Sequence, residues 1–130
     1  CTGVQMATRF IGTFECDADA KFKNVLLNAK EEDITLMKSP VGLPARGVRT
    51  NLQFSIENKT APKVQCISNC VAPCNRGTEA KIVGYCIADR LSAAYMGDTE
   101  TGLFFTGTNG YKVKEIISVK ELIDKLTNGE

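Results

Sequence analysis

Apolar positions along the chain fall into short patterns separated by turn residues. In residues 3–11, GVQMATRFI, Val4, Met6 and Phe10 alternate with Gln5 and Ala7. A period of two predicts a buried strand, ending near Thr8. Residues 17–30, DADAKFKNVLLNAK, predict a helix: Phe22, Val25, Leu26 and Ala29 form one stripe at helical spacing. Asp17 is placed to cap its start. Strand followed by helix is a βα unit.

DITLM, residues 33–37, reads as a short strand. SPVGLPARG follows, with two prolines and two glycines in nine residues, and predicts a turn. GVRTNLQF reads as a second strand, or as a strand running into a helix, and the pair suits a hairpin. Residues 58–80 carry little periodicity and read as a loop with at most one irregular helical turn. Residues 85–96 predict a helix stopped by Gly97. The GLFFTGTNGYKVKEI stretch is rich in Gly and Thr, with a turn at Thr108-Asn109-Gly110. The last helix is the best marked. Ser118 and Glu121 make a capping box, and Ile117 with Leu122 a hydrophobic staple. Val119, Leu122, Ile123 and Leu126 share its apolar face, and Gly129 lies beyond its end.

Composition narrows the chemistry. The chain has 130 residues, the size of one domain. Its 16 basic and 15 acidic side chains leave a net charge of +1, which suggests neither a nucleic-acid nor an anionic-membrane partner. No apolar run has the length of a membrane span, and no leader pattern stands at the start; a soluble, cytoplasmic protein is expected. There is no His. A Ser-His or Cys-His nucleophile pair and a His general base are therefore excluded within this sequence. None of its Asp or Glu residues stands out as a general base, and no catalytic residue is assigned.

A strand that ends in small and polar residues before a helix is a phosphate-binding arrangement, because its exit amides face the anion. Ala7 and Thr8 occupy that position, and Gly12-Thr13 follow. On pattern alone, an ordinary buried strand with a terminal Thr is the simpler reading. Lys38, Arg46 and Arg49 bracket the SPVGLP turn. They could approach an anion, but a solvated basic surface is preferred. Tyr111 could line a pocket or merely follow a tight turn.

Four segments carry a resemblance to a known family. GVQMATRF resembles the GVQMGTRF-type strand of nitronate monooxygenases, also called 2-nitropropane dioxygenase-like proteins. Their relatives include the flavin-containing enoyl-acyl carrier protein reductases. TFECDAD is similar to the segment after that strand. MKSPVGLPARGVRTNL is similar to the family's K-S-P-V-G-M-P-G-R segment. The CISNC…YCIADRL…GLFFTGTNGYKVKEIISVKELIDKL stretch is similar to its C-terminal tail. The resemblance covers essentially the whole chain.

It implies an α/β fold: the C-terminal portion of an FMN-binding (β/α)8 barrel plus a small mixed α+β appendage. Residues 1–31 would be the last barrel βα unit, 32–112 the appended segment, and 113–130 the closing helix. A whole barrel needs about 200 residues or more. The implied cofactor is FMN, its phosphate contacted by Gln5, Met6, Ala7 and Thr8. Ala7 departs from the family's Gly, so either the backbone there does not need Gly or phosphate binding is weakened. The implied activity is oxidative denitrification of alkyl nitronates, a small-molecule substrate, with the catalytic His outside this sequence. The chain alone is expected to be inactive and to bind FMN weakly. The helices at 17–30 and 118–128 are expected to expose apolar faces and to favour a homo-oligomer.

Cysteine usage leaves an alternative. Cys66, Cys70 and Cys74 are four apart, and Cys86 follows after eleven residues. Four thiols can hold zinc or an iron–sulfur cluster. Pro73 argues against a regular helix there, and the second zinc pair would be unusually wide. Buried thiols or a disulfide are the simpler reading. Cys16, just before a helix, is read as structural.

Overall fold

A computed structural model describes residues 2–61 and 84–129. Its elements are short. Helix α1 is Thr8–Ile11, α2 is Ala20–Asn28, and a 3₁₀ turn, Glu31–Asp33, leads into strand β1, Ile34–Met37. Strand β2 is Ala45–Val48 and α3 is Asn51–Glu57; α4, Ile87–Tyr95, is followed by a 3₁₀ turn at Gly110–Lys112 and by α5, Val119–Asn128. Among the described residues no helix is long and apolar enough to cross a membrane.

β1 and β2 form the expected antiparallel hairpin, with Ile34 opposite Val48 and Leu36 opposite Arg46. Residues 104–106 run along the other edge of β2: Val48 N–H donates to the Phe104 carbonyl at 2.9 Å, and Thr106 N–H to the Arg46 carbonyl at 3.1 Å. Gly47 allows this approach. A Cβ there would lie 2.4 Å from the Phe104 carbonyl oxygen.

The pleat divides the core in two. Ile34 and Val48 face a cluster with Leu26, Ala29, Ala94 and Phe104. Met37 faces a second one, with Leu52, Tyr85 and Leu103. Residues 103–105 alternate between these clusters: Phe104 enters the first, Leu103 and Phe105 the second. The Phe104 ring meets Phe22 at a centroid distance of 4.9 Å. That contact corrects one expectation. The apolar stripe of α2 is covered within the chain, with Leu26 and Ala29 buried, because Phe104 supplies the surface it packs on.

Helix ends follow local chemistry. Asp19, rather than Asp17, caps α2 by accepting from Lys21 N–H at 2.8 Å. Ser118 caps α5 through Glu121 N–H at 3.1 Å. The Glu121 carboxylate pairs with Lys125 one turn on, while Glu15 accepts from Val119 N–H at 2.9 Å. A residue distant in sequence thus completes the cap. Gly97 stops α4 with φ +84°, a left-handed conformation that suits glycine.

Residues 2–7 overturn the first expectation. They form no strand and are exposed. The chain turns into α1 at Thr8, where Phe10 N–H bonds the Ala7 carbonyl at 2.9 Å. A strand needs a neighbour to accept and donate its backbone hydrogen bonds. Among the described residues no named strand pairs with this segment.

Candidate functional site

An open cleft of about 1350 Å³ lies between the N-terminal segment, the hairpin turn, the 105–113 segment and α5. Gln5, Met6, Ala7 and Thr8, the four residues expected at the phosphate, all line it. Their exposure follows from the missing strand pairing described above.

The Thr8 hydroxyl accepts from Gly107 N–H at 2.9 Å. That bond ties the N-terminal segment to the 105–113 segment and leaves the hydroxyl proton free to be given to an anion. The first amides of α1 have no acceptor within the helix. Ala7 has φ −123° and ψ −53°. Its φ is negative, so this backbone does not call for a glycine.

Opposite lie Thr106, Thr108 and Asn109, with Gly107 and Gly110 between and beside them. Gly110 is packed tightly: a Cβ would overlap the Thr106 hydroxyl. The sequence turn at Thr108-Asn109-Gly110 is present and lines the cleft together with Lys112, whereas Tyr111 is not among its lining residues. Lys112 Nζ stands 5.7 Å from the Tyr111 ring centroid. The sequence pattern did not single out Thr106, and it named Thr108 only as part of the turn that Gly107 and Gly110 bracket.

The basic residues around the SPVGLP turn separate. Arg46 lines the cleft. Arg49 instead bonds Glu57 at 3.1 Å and lies 4.5 Å from the Phe54 ring centroid. The Lys38 carbonyl accepts from the Tyr85 hydroxyl at 2.8 Å, and burial pushes the Tyr85 pKa up to about 12. Two other cations on the cleft wall are already paired. Lys125 bonds Glu115 at 2.9 Å, and that bond, followed by the one to Glu121, raises its pKa and lowers that of Glu115. Arg9 lies 4.0 Å from the same Glu115 carboxylate. An apolar side of the cleft is made by Val41, Leu43, Pro44, Ile87 and Phe105.

Of the expected metal ligands, Cys66, Cys70 and Cys74 lie outside the described residues. Cys86 is a free thiol at the N-cap of α4. Among the described residues no group of three or more His, Cys, Asp or Glu could hold a metal. Cys16 is also a free thiol; its carbonyl accepts from Lys23 Nζ at 2.7 Å.

Within a small α/β scaffold the cleft brings exposed main chain at Gln5–Ala7 together with the basic residues Arg9, Arg46, Lys112 and Lys125. The chain belongs to the nitronate monooxygenase family, whose pattern it matches over residues 1–129. No curated protein matches it. Among solved structures it is similar to FabK from Thermotoga maritima, with a TM-score of 0.71 at 26% identity over 97% of this chain and 36% of that one. A single-site mutant of that FabK is similar in fold, with a TM-score of 0.69 at 23% identity over 98% of this chain and 33% of that one. The chain therefore spans about a third of the FabK length.

Proposed function

We propose that the chain forms the cofactor-anchoring portion of an FMN-dependent oxidoreductase that oxidises alkyl nitronates. The observation that carries this reading is the convergence of Gln5, Met6, Ala7 and Thr8 on one cleft, with the Thr8 hydroxyl oriented by Gly107 N–H. Membership of the nitronate monooxygenase family supports it.

The residues fit a phosphate group. Exposed main chain from Gln5 to Thr8 offers amide donors, and the Thr8 hydroxyl adds a proton donor whose acceptor side is already satisfied. Ala7 presents only a methyl, so an anion can come close. When bound, FMN would supply the redox chemistry, receiving electrons from the nitronate and passing them to oxygen. This chain's part is to hold the phosphate and to wall the cleft. It provides no His for proton transfer.

The test is Thr8→Val in the full-length protein. Loss of one hydroxyl donor to a phosphate should weaken FMN binding about tenfold, read by fluorescence titration. FMN affinity equal to that of the unsubstituted protein would overturn the assignment of Gln5–Thr8 as the phosphate site.

A second reading draws support from the likeness to FabK and from the apolar side of the cleft at Leu43, Pro44 and Phe105. It is a flavin-dependent enoyl reductase, whose acyl chain would lie along that side. Turnover of NAD(P)H with an enoyl thioester, and none with a nitronate, would favour it.

A further inference from the structure

Among the described residues the cleft wall contains four cations, Arg9, Arg46, Lys112 and Lys125, and no Asp or Glu. This is a marked segregation for a chain with 16 basic and 15 acidic residues. Three of these cations have local partners. Arg9 and Lys125 share Glu115, and Lys112 lies over Tyr111. Among the described residues Arg46 has no carboxylate or aromatic partner, whereas Arg9, Arg49 and Arg90 each make an ion pair.

Arg46 is also firmly mounted. β1 holds it on one side, opposite Leu36, and its carbonyl accepts from Thr106 N–H on the other. Its neighbours Ala45 and Gly47 are buried while it is exposed. The hairpin face that buries Ile34 and Val48 in the core continues outward to Leu36 and Arg46. A guanidinium mounted on a strand and without a carboxylate partner among the described residues matches a planar group with two anionic oxygens.

We propose that Arg46 is the residue that binds the substrate's charged head, the two-oxygen N–O group of a nitronate, at a place separate from the cofactor phosphate at Gln5–Thr8. The proposal rests on the flavin reading above and adds a substrate-binding residue to it. No proton or electron is moved by Arg46. Its role is to hold and orient a monoanion.

The test compares Arg46→Gln and Arg46→Lys with the unsubstituted full-length protein. Two readouts are used. Calorimetric titration with isobutyrate, an unreactive monoanion with the same number of heavy atoms and the same paired oxygens as propyl-2-nitronate, needs no flavin. Kinetics with propyl-2-nitronate follow in the FMN-loaded protein. Arg46→Gln should weaken isobutyrate binding and raise KM about tenfold with kcat within about threefold, the size of a lost charge-assisted contact. Arg46→Lys should recover part of the loss. Isobutyrate binding that is absent, or equal in both proteins, overturns the proposal whatever the flavin content. A fall in FMN affinity with Arg46→Gln as large as with Thr8→Val also overturns it, since Arg46 would then belong to the phosphate site. Failure of the unsubstituted protein to bind FMN sinks the flavin reading instead, and the calorimetry still decides on Arg46.

Discussion

Residues 2–7 and residues 34–48 make an instructive contrast. The first segment has the cleaner strand pattern, yet it is not a strand. The second has two short runs around a Pro- and Gly-rich turn, and it forms the sheet. The difference is pairing. β1 and β2 satisfy each other's backbone groups, and residues 104–106 cover the outer edge of β2. Each face then meets its own apolar cluster. No named strand pairs with the N-terminal segment among the described residues, and Val4 remains 79% exposed. Alternation makes a strand possible, but hydrogen-bonding partners and a surface to pack on make it stable. The same exposure makes Gln5–Thr8 available to a ligand.

That contrast can be tested by substitution. The largest effect is expected at Phe104, which is fully buried between α2 and the hairpin. Phe104→Ala should cost about 3–5 kcal/mol, read by denaturant unfolding; a loss under about 1 kcal/mol would mean that the hairpin core does not carry the fold. A smaller effect is expected at Tyr85. Tyr85→Phe removes the bond to the Lys38 carbonyl and should cost about 1 kcal/mol at neutral pH. The substitution should also change the alkaline limb of stability. The folded Tyr85 titrates at about 12, above an ordinary tyrosine near 10. Between those values the unfolded chain releases a proton that the folded chain keeps, so stability falls as pH rises. The phenylalanine variant should lack that component, and identical alkaline slopes in both proteins would contradict the assignment. The smallest effect belongs to the N-terminal segment. Val4→Ser should shift stability by no more than about 0.5 kcal/mol, because the side chain is already exposed. A large loss there would show that this segment is packed in solution and that its contrast with the hairpin is wrong.

The cleft was partly legible in the sequence. The pattern of small and polar residues marked only Ala7 and Thr8, and with an ordinary strand as the simpler reading; Gln5 and Met6 were added by the resemblance of GVQMATRF to the nitronate monooxygenase strand. Arg46 and Arg49 could not be told apart, since both flank the same turn. Only the fold separates them: Arg49 reaches Glu57 and Phe54 in α3, while Arg46 is held on β2 beside residues 104–106. Glu15 was likewise invisible as a cap for α5, because its contact with Val119 spans more than a hundred residues. The expectation of an exposed apolar face failed for α2, where Phe104 covers it. Ile123 and Leu126 of α5 remain 42% and 48% exposed.

Local chemistry by itself determined the hairpin, the caps at Ser118 and Gly97, and the helical stripe from Phe22 to Ala29. Those features depend on residues close together in the chain, so their signals survive in the order of amino acids. Tertiary structure decided which apolar runs became core, which arginine of the hairpin lines the cleft, and whether the first alternating segment paired. Each of those outcomes turns on a neighbour brought from far along the chain, and spacing along the chain does not encode proximity across it.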